Sequence, residues 1–422
     1  DLQQAFPDIK NSEASRISYN HWIINDGYKN YNVSKSLLPS LESIDDSIAA
    51  SRGVNIVGYF ESVNGVAEAA RLYFKKSLSS SIATTLFSIP TAAHSQLTSE
   101  EILDYSRYYA ESPAFSKNIF FVNSDEINNV KSHFPDLFKD KYNAAVWWWE
   151  FDDYFDFPDA FNCVDEVIVF TDFVARAIRK TAPENIKVTK MTYPFMKNWE
   201  LTVSRSDIRK SIGISDADYM FLYVFDLFSG FDRKNPLALI DAFHTTSKTY
   251  SNARLVIKIG HTEHFADEYK SIQDRINKLS LKEKIIVLTE SLPRNLYMSL
   301  MDGADAYISL HRSEGLGLSM LEAMYLGKPV IATSYGGNLE FMNEDNSLLV
   351  EHDIVELERD FGPYKKGWLW AEPDILNASK HMIRLIFDSE FSDDLASKGQ
   401  NDVMNQFDRT THVNELYDFV SS

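Results

Sequence analysis

Two glutamates eight positions apart, Glu314 and Glu322, bracket a glycine-spaced turn in the string SEGLGLSMLEAMYLG. Gly315 and Gly317 remove side chains from that turn, so the amides of Gly315, Leu316 and Gly317 are open to a ligand. The helix expected to begin near Leu318 adds partial positive charge at its N-terminus. Such a place suits an anion, and a diphosphate is the obvious guest. A carboxylate touching the phosphate would be repelled by about 1 kcal/mol or more at a few ångströms, so Glu314 must serve something else. Carboxylates accept hydrogen bonds in pairs from vicinal hydroxyls. Glu314 in the loop would take the hydroxyls of a sugar, and Glu322, about one turn inside the helix, those of a ribose. A nucleotide-diphosphate sugar fits both ends. For a single glutamate the alternative is a solvated side chain on a Schellman-type loop.

A second group lies in AAVWWWEFDDYFDFPDAF, 144–161. Three tryptophans alternate across a strand end, so at least one should face a cleft and one the core. An exposed Trp149 indole would stack on a sugar face, and Glu150 follows at the carboxyl end of the strand, where functional groups collect. His94, in a loop, is a weaker candidate. Further on, FDLFSGFDRKNPLALIDAF offers Arg233 and Lys234.

Other chemistries lack their residues. Asp216 and Asp218 form a D-x-D match, but they precede a strand in a polar turn and read as turn residues. No His/Cys cluster has zinc spacing, and no G-x-S-x-G elbow is present. The glutamate pair across a glycine loop binds polar ligands instead of flanking a glycosidic bond. IVGYFESVNGVAEAAR lacks the GxGxxG spacing of a dinucleotide site. No metal and no cofactor are expected.

These groups need a frame, and the chain is long enough to supply two domains. Its 422 residues are 44% apolar and 24% charged, the balance of a folded globular protein. A net charge of −19 disfavours nucleic acid as a partner, because phosphate neutralisation needs clustered Lys and Arg. One cysteine, Cys163, excludes an intrachain disulfide. No apolar run approaches the roughly 20 residues that span a bilayer. The expected compartment is the cytoplasm, with peripheral placement at the inner face of the membrane left open. The chain opens on Asp1 with neither Met nor an h-region, which suggests a piece of a longer polypeptide with other domains.

Near-continuous apolar runs at 54–60, 82–89, 118–123, 142–149 and 166–171 alternate with helical stretches, as in a parallel sheet covered on both faces. The rhythm breaks at 187–213 and restarts with strands at 219–226, 253–260, 284–290, 305–310 and 328–333. The expected class is α/β, with two doubly wound Rossmann-like domains facing across a cleft. We assign 1–52 to an N-terminal extension packed on the first domain, 53–195 to that domain and 196–400 to the second. The last segment, 401–422, is a helix expected to cross back to the first domain.

SEGLGLSMLEAMYLGKPVIAT resembles the E-x7-E signature of family 4 retaining glycosyltransferases, which have the GT-B architecture. LHRSEG, SYGGNLEFM and GPYKKGWLWAEPD resemble its bacterial surface-polysaccharide branch, which contains many mannosyltransferases. The resemblance runs from about residue 53 to the C-terminus. It implies that Glu314 contacts the donor sugar, with Gly315, Leu316, Gly317 and Leu318 on sugar and phosphate, and that Glu322 holds the ribose. Gly65 and Val66 match the first-domain glycine loop, which in that family approaches donor phosphate or acceptor and is assigned here to the donor, and Lys234 matches the lysine that neutralises the departing diphosphate. Asp226 stands where the family places an arginine, which leaves Arg233 for that task, with a plain salt bridge as its alternative. Trp149 and Glu150 occupy the place of the family's first-domain histidine. The resemblance implies GDP-mannose as donor, with UDP- or dTDP-sugars second, and a growing surface glycan, lipid-linked or free, as acceptor. A catalytically silent glycan-binding or scaffold domain is the second class of function.

Overall fold

The structure is a computed structural model that describes residues 53–421, except 63, 80–81, 91–101, 103–104, 107, 111, 155–156 and 408. The expected extension, 1–52, and His94 lie outside the described residues. The first sheet contains β1 (Gly53–Gly58), β2 (Ala83–Ser88), β3 (Lys117–Phe121), β4 (Tyr142–Val146), β5 (Glu166–Val169) and β6 (Lys187–Lys190). All are parallel, in the order β2-β1-β3-β4-β5-β6. Both faces of its inner strands are covered, which is why β1, β3, β4 and β5 read as near-continuous apolar runs. Ile56, Ile119, Phe121 and Val146 point to one core, and Val57, Phe120, Val122 and Trp147 to the other.

The second sheet contains β7 (Tyr219–Asp226), β8 (Ala253–Gly260), β9 (Ile285–Leu288), β10 (Ala306–Ser309), β11 (Val330–Thr333) and β12 (Leu348–Val350). Its order is β12-β11-β10-β7-β8-β9, again parallel. The chain therefore moves outward from β7 through β8 and β9, then returns to the other side of β7 as β10. The loops after β7 and β10 diverge at this point, and the crevice between them at the strand carboxyl ends is where open α/β sheets bind ligands. Glu314, Arg233 and Lys234 all lie on those two loops.

Two features depart from the expected layout. KVTK, placed in the connector, is strand β6, an edge strand without a buried apolar face. An antiparallel hairpin, β13 (His352–Glu356) with β14 (Leu369–Pro373), follows β12. Its loop carries Tyr364 and Trp368 onto Phe151 and Trp149 of the first domain, with Phe361 stacked behind Tyr364. The C-terminal helix Arg409–Ser421 packs against the first domain's opening helix, Gly65–Ser79. Lys117 donates to the Phe419 carbonyl at 2.6 Å, and Glu415 accepts from the Thr192 amide at 2.7 Å. No helix among the described residues is long and apolar enough to cross a membrane.

Candidate active site

β7 ends at Asp226, and the chain makes a tight turn before the short helix Phe231–Lys234. That helix stops because Asn235 adopts a left-handed conformation, φ 51°, ahead of Pro236. The stop aims Arg233 and Lys234 at the loop after β10. Lys234 Nζ donates to Glu314 Oε2, and Arg233 Nη1 stands 3.6 Å from the same oxygen. Arg233 is 2% exposed and is also spent on main chain, donating to the Ser313 carbonyl at 2.9 Å and the Ser229 carbonyl at 3.0 Å.

Burial alone would raise the pKa of the Glu314 carboxyl. Lys234 and Arg233 outweigh it and hold that pKa at about 2. Burial lowers the Lys234 ammonium, opposed by Glu314, and Arg233 pushes it down further. Beneath the loop, fully buried His311 meets Ser309 Oγ at 3.0 Å through Nδ1 and the Tyr335 carbonyl at 3.0 Å through Nε2. A carbonyl only accepts, so Nε2 carries the proton. Burial lowers this imidazole to about 4, so it is a neutral strut.

The glycines serve main-chain contact within the protein. A Cβ on Gly315 would lie 2.3 Å from the Trp149 carbonyl of the first domain, and one on Gly337 1.8 Å from the Gly315 carbonyl. Thr171, also in the first domain, donates to that Gly315 carbonyl at 2.9 Å. Ser313 Oγ donates to the Glu150 carbonyl. The two domains thus touch through the glutamate loop itself. Gly315→Ala is expected to force them apart at a cost of about 1–3 kcal/mol, read as a lower Tm and a larger radius in small-angle scattering.

Glu150 completes the cluster from the opposite domain. Its Oε2 accepts from the Tyr364 hydroxyl at 2.7 Å, and Oε1 lies 3.9 Å from Arg233. Trp149 does not take the place expected of it. β4 ends at Val146, and the alternation carries Trp147 and Trp149 to the same covered face. The Trp149 indole is 6% exposed, donates to the Asp153 carbonyl at 2.5 Å and packs edge-on against Tyr154, Tyr364 and Trp368. It therefore offers no face to a sugar. Trp148 meets Phe170 and Tyr193 on the other side, so none of the three indoles is an exposed platform.

Leu318 opens the helix Leu318–Tyr325 after Gly317, whose φ is 90°, and Leu316 is buried behind the loop. Glu322, 2% exposed, faces Arg294 at 2.5 Å and accepts from the Tyr297 hydroxyl at 3.1 Å. Burial raises its pKa, with Arg294 opposing. Arg294 begins the helix after β9 and lies over the Trp199 and Tyr297 rings, 4.9 and 5.5 Å from their centroids. It was not among the sequence candidates, although LPRNLY marks a helix start at a strand's carboxyl end. Gly65 and Val66 open the first-domain helix, capped by Asn64 Oδ1 on the Ala67 amide at 2.8 Å. Asn64, Gly65, Glu150 and Arg233 line one interdomain cavity of about 1160 Å³.

Asp226 pairs with His261 Nδ1 at 2.5 Å and caps the Phe228 amide at 2.8 Å, so it supplies no positive charge. Asp218 accepts from Ser215 N at 2.9 Å and pairs with Arg254 at 3.1 Å, as a turn residue does. Among the described residues no cluster of three or more His, Cys, Asp or Glu could hold a metal ion.

Residues 204–402 match the family model described as Glycosyl transferases group 1. The mouse alpha-1,3/1,6-mannosyltransferase ALG2 is 22% identical over 311 residues, 68% of this chain and 66% of its own length. A sucrose synthase of Melioribacter roseus is 29% identical over 120 residues, 26% of this chain and 15% of its own. The chain thus covers less than two thirds of either relative. Among solved structures, Anabaena HepE, crystallised with UDP and glucose, superposes with a TM-score of 0.65 at 14% identity, covering 88% of this chain and 99% of that one. Sucrose-phosphate synthase from Thermosynechococcus elongatus gives 0.63 at 14% identity, covering 87% and 98%. The fold is GT-B, two Rossmann-like domains across a cleft.

Proposed function

We propose that this protein is a retaining glycosyltransferase that moves a sugar from a nucleotide-diphosphate sugar to a hydroxyl of a growing surface glycan such as O-antigen or capsule. One observation carries the reading. At the switch point of the second sheet, Glu314, 13% exposed, is kept ionised by Lys234 and Arg233, and Glu322 lies buried eight residues on in the adjoining helix. Glu314 binds the donor sugar, and Glu322 exchanges part of its contact with Arg294 for the ribose hydroxyls. Lys234 meets the diphosphate. The bond from the anomeric carbon to the diphosphate breaks as the acceptor oxygen bonds to the same face. The acceptor's proton passes to the departing diphosphate, whose charge Lys234 offsets. Contact between the domains keeps water from the reacting carbon.

GDP-mannose is the first donor to test, in line with the mannosyltransferase relative. A UDP-sugar is second, favoured by the UDP and glucose bound to a structural neighbour. A thermal-shift screen of nucleotide sugars picks the donor, and NMR of the product reads the anomeric configuration. Inversion would exclude the mechanism, and no stabilisation by any nucleotide would exclude the donor site. Glu322→Ala is expected to weaken nucleotide binding about 10- to 100-fold, the worth of charge-assisted hydrogen bonds of 1.5–3 kcal/mol. Normal affinity in that variant would refute the ribose role.

The two glutamates should also part company with pH. Glu314 is displaced downward, so its contribution to stability is complete above the ordinary carboxylate range and fades as pH falls toward about 2. Glu322 is displaced upward by burial, so its ionisation opposes folding once pH rises through its raised pKa. Falling pH therefore protonates Glu322 before Glu314. Nucleotide affinity should fall as pH drops through the raised Glu322 pKa in calorimetry, and Glu322→Gln should flatten that slope.

A further inference from the structure

The interdomain cavity lies beside Glu314, with Arg233 between the two. At about 1160 Å³ it exceeds the roughly 300–1,000 Å³ of a pocket for one small ligand. Arg233 forms part of its lining and stands 3.6 Å from Glu314, so it adjoins the sugar end of the proposed donor. Glu314, Lys234, Glu322 and Arg294 are all absent from the lining, so the donor's contacts lie beside this cavity and not within it. One wall is Asn64, Gly65 and Glu150 of the first domain; the others come from the loops after β7 and β8 and from the hairpin loop. The hairpin closes on the β7 loop at Gly230, where a Cβ would lie 2.6 Å from the Phe361 ring.

Two properties of the lining select a ligand. Phe228 is 54% exposed, and its ring is buttressed edge-on by Phe265 and His261, each 5.0 Å away between centroids. A fixed, partly open aromatic at a polar cavity wall suits the apolar face of a pyranose. Glu150, Asp226, Asp232, Asp267, Glu268 and Asp360 supply six carboxylates against two guanidiniums, Arg233 and Arg359, and one imidazole. Those acids accept from hydroxyls and repel anions.

We infer that this cavity receives the acceptor, and that the acceptor's reacting end is an uncharged saccharide seated against Phe228, free of phosphate or carboxylate groups. The inference rests on the transferase reading above and names the substrate class of that site. A phosphate of any lipid-linked acceptor must then lie outside the cavity.

Saturation-transfer NMR on the full chain tests it, with methyl α-mannoside and maltotriose as neutral probes and mannose 6-phosphate and glucuronic acid as anionic ones. GDP and UDP are read on the same samples to report the donor side. The neutral probes should saturate, and the anionic ones should give signals at least about tenfold weaker, the effect of roughly 1.4 kcal/mol of repulsion. Phe228→Ala should abolish the neutral signals with its melting temperature retained, since the side chain is largely exposed. Asp267→Asn combined with Glu268→Gln should narrow the gap between neutral and anionic probes. Equal or stronger anionic signals, neutral signals that survive Phe228→Ala, or nucleotide signals without any neutral saccharide would overturn the inference. Silence from the nucleotides as well would instead bring down the donor reading on which it stands.

Discussion

Lys234→Ala is expected to lower kcat by about 10²–10³-fold, the usual loss when one preorganised donor to a developing anion is removed. The two cations differ in what each has left to give. Arg233 is committed to two main-chain carbonyls and to the space between Glu150 and Glu314. Lys234 gives a hydrogen bond to Glu314, and an ammonium has three to offer. Burial already disfavours its charge, so a departing diphosphate is worth more to it than to a solvated lysine. Lys234→Arg should recover only part of the rate, because a planar fork cannot reproduce a compact charge at the end of a four-residue helix. Steady-state kinetics on the preferred donor, with nucleotide Kd measured alongside, checks this. A loss confined to KM would place Lys234 in ground-state binding only.

The frame was legible because buried parallel strands announce themselves. VNIVG, NIFF and YMFLYVFD are apolar but for Asn55, Asn118 and the terminal Asp226, as strands covered on two sides tend to be. KVTK and the β13–β14 hairpin were missed for the complementary reason. KVTK and β13 carry only partly or fully exposed residues in no period-two order, so no periodic signal exists to read. In the site, Glu314 and Glu322 were visible through the glycines around them. What those glycines accommodate was not, because the Trp149 carbonyl comes from the segment after β4, 166 positions earlier, and only the closed pair of domains brings it to Gly315. Trp149 misled for a related reason. Period-two alternation gives faces, but which face is covered depends on a hairpin loop more than 200 residues later. Arg294 and Tyr364 belong to the same class. Each is an ordinary residue locally and acquires its task only from a carboxylate in another element.

Glu314→Gln should abolish measurable transfer and also destabilise the fold, and a second substitution separates the two effects. Neutralising this carboxylate strands a largely enclosed ammonium, 16% exposed, and part of a buried guanidinium. Breaking a buried ion pair from one side costs about 3–5 kcal/mol. Arg233 keeps Glu150 and its two carbonyls, so most of that cost falls on Lys234. Replacing both partners by groups of similar volume is close to neutral in comparable sites, so Lys234→Met in the Glu314→Gln background should restore most of the lost stability in chemical denaturation. Transfer should stay absent, because neither the sugar's hydroxyl acceptor nor the diphosphate's cation has returned. If the double variant regained both stability and turnover, the glutamate–lysine pair would be a structural brace and the reacting groups would have to be sought elsewhere in the cleft.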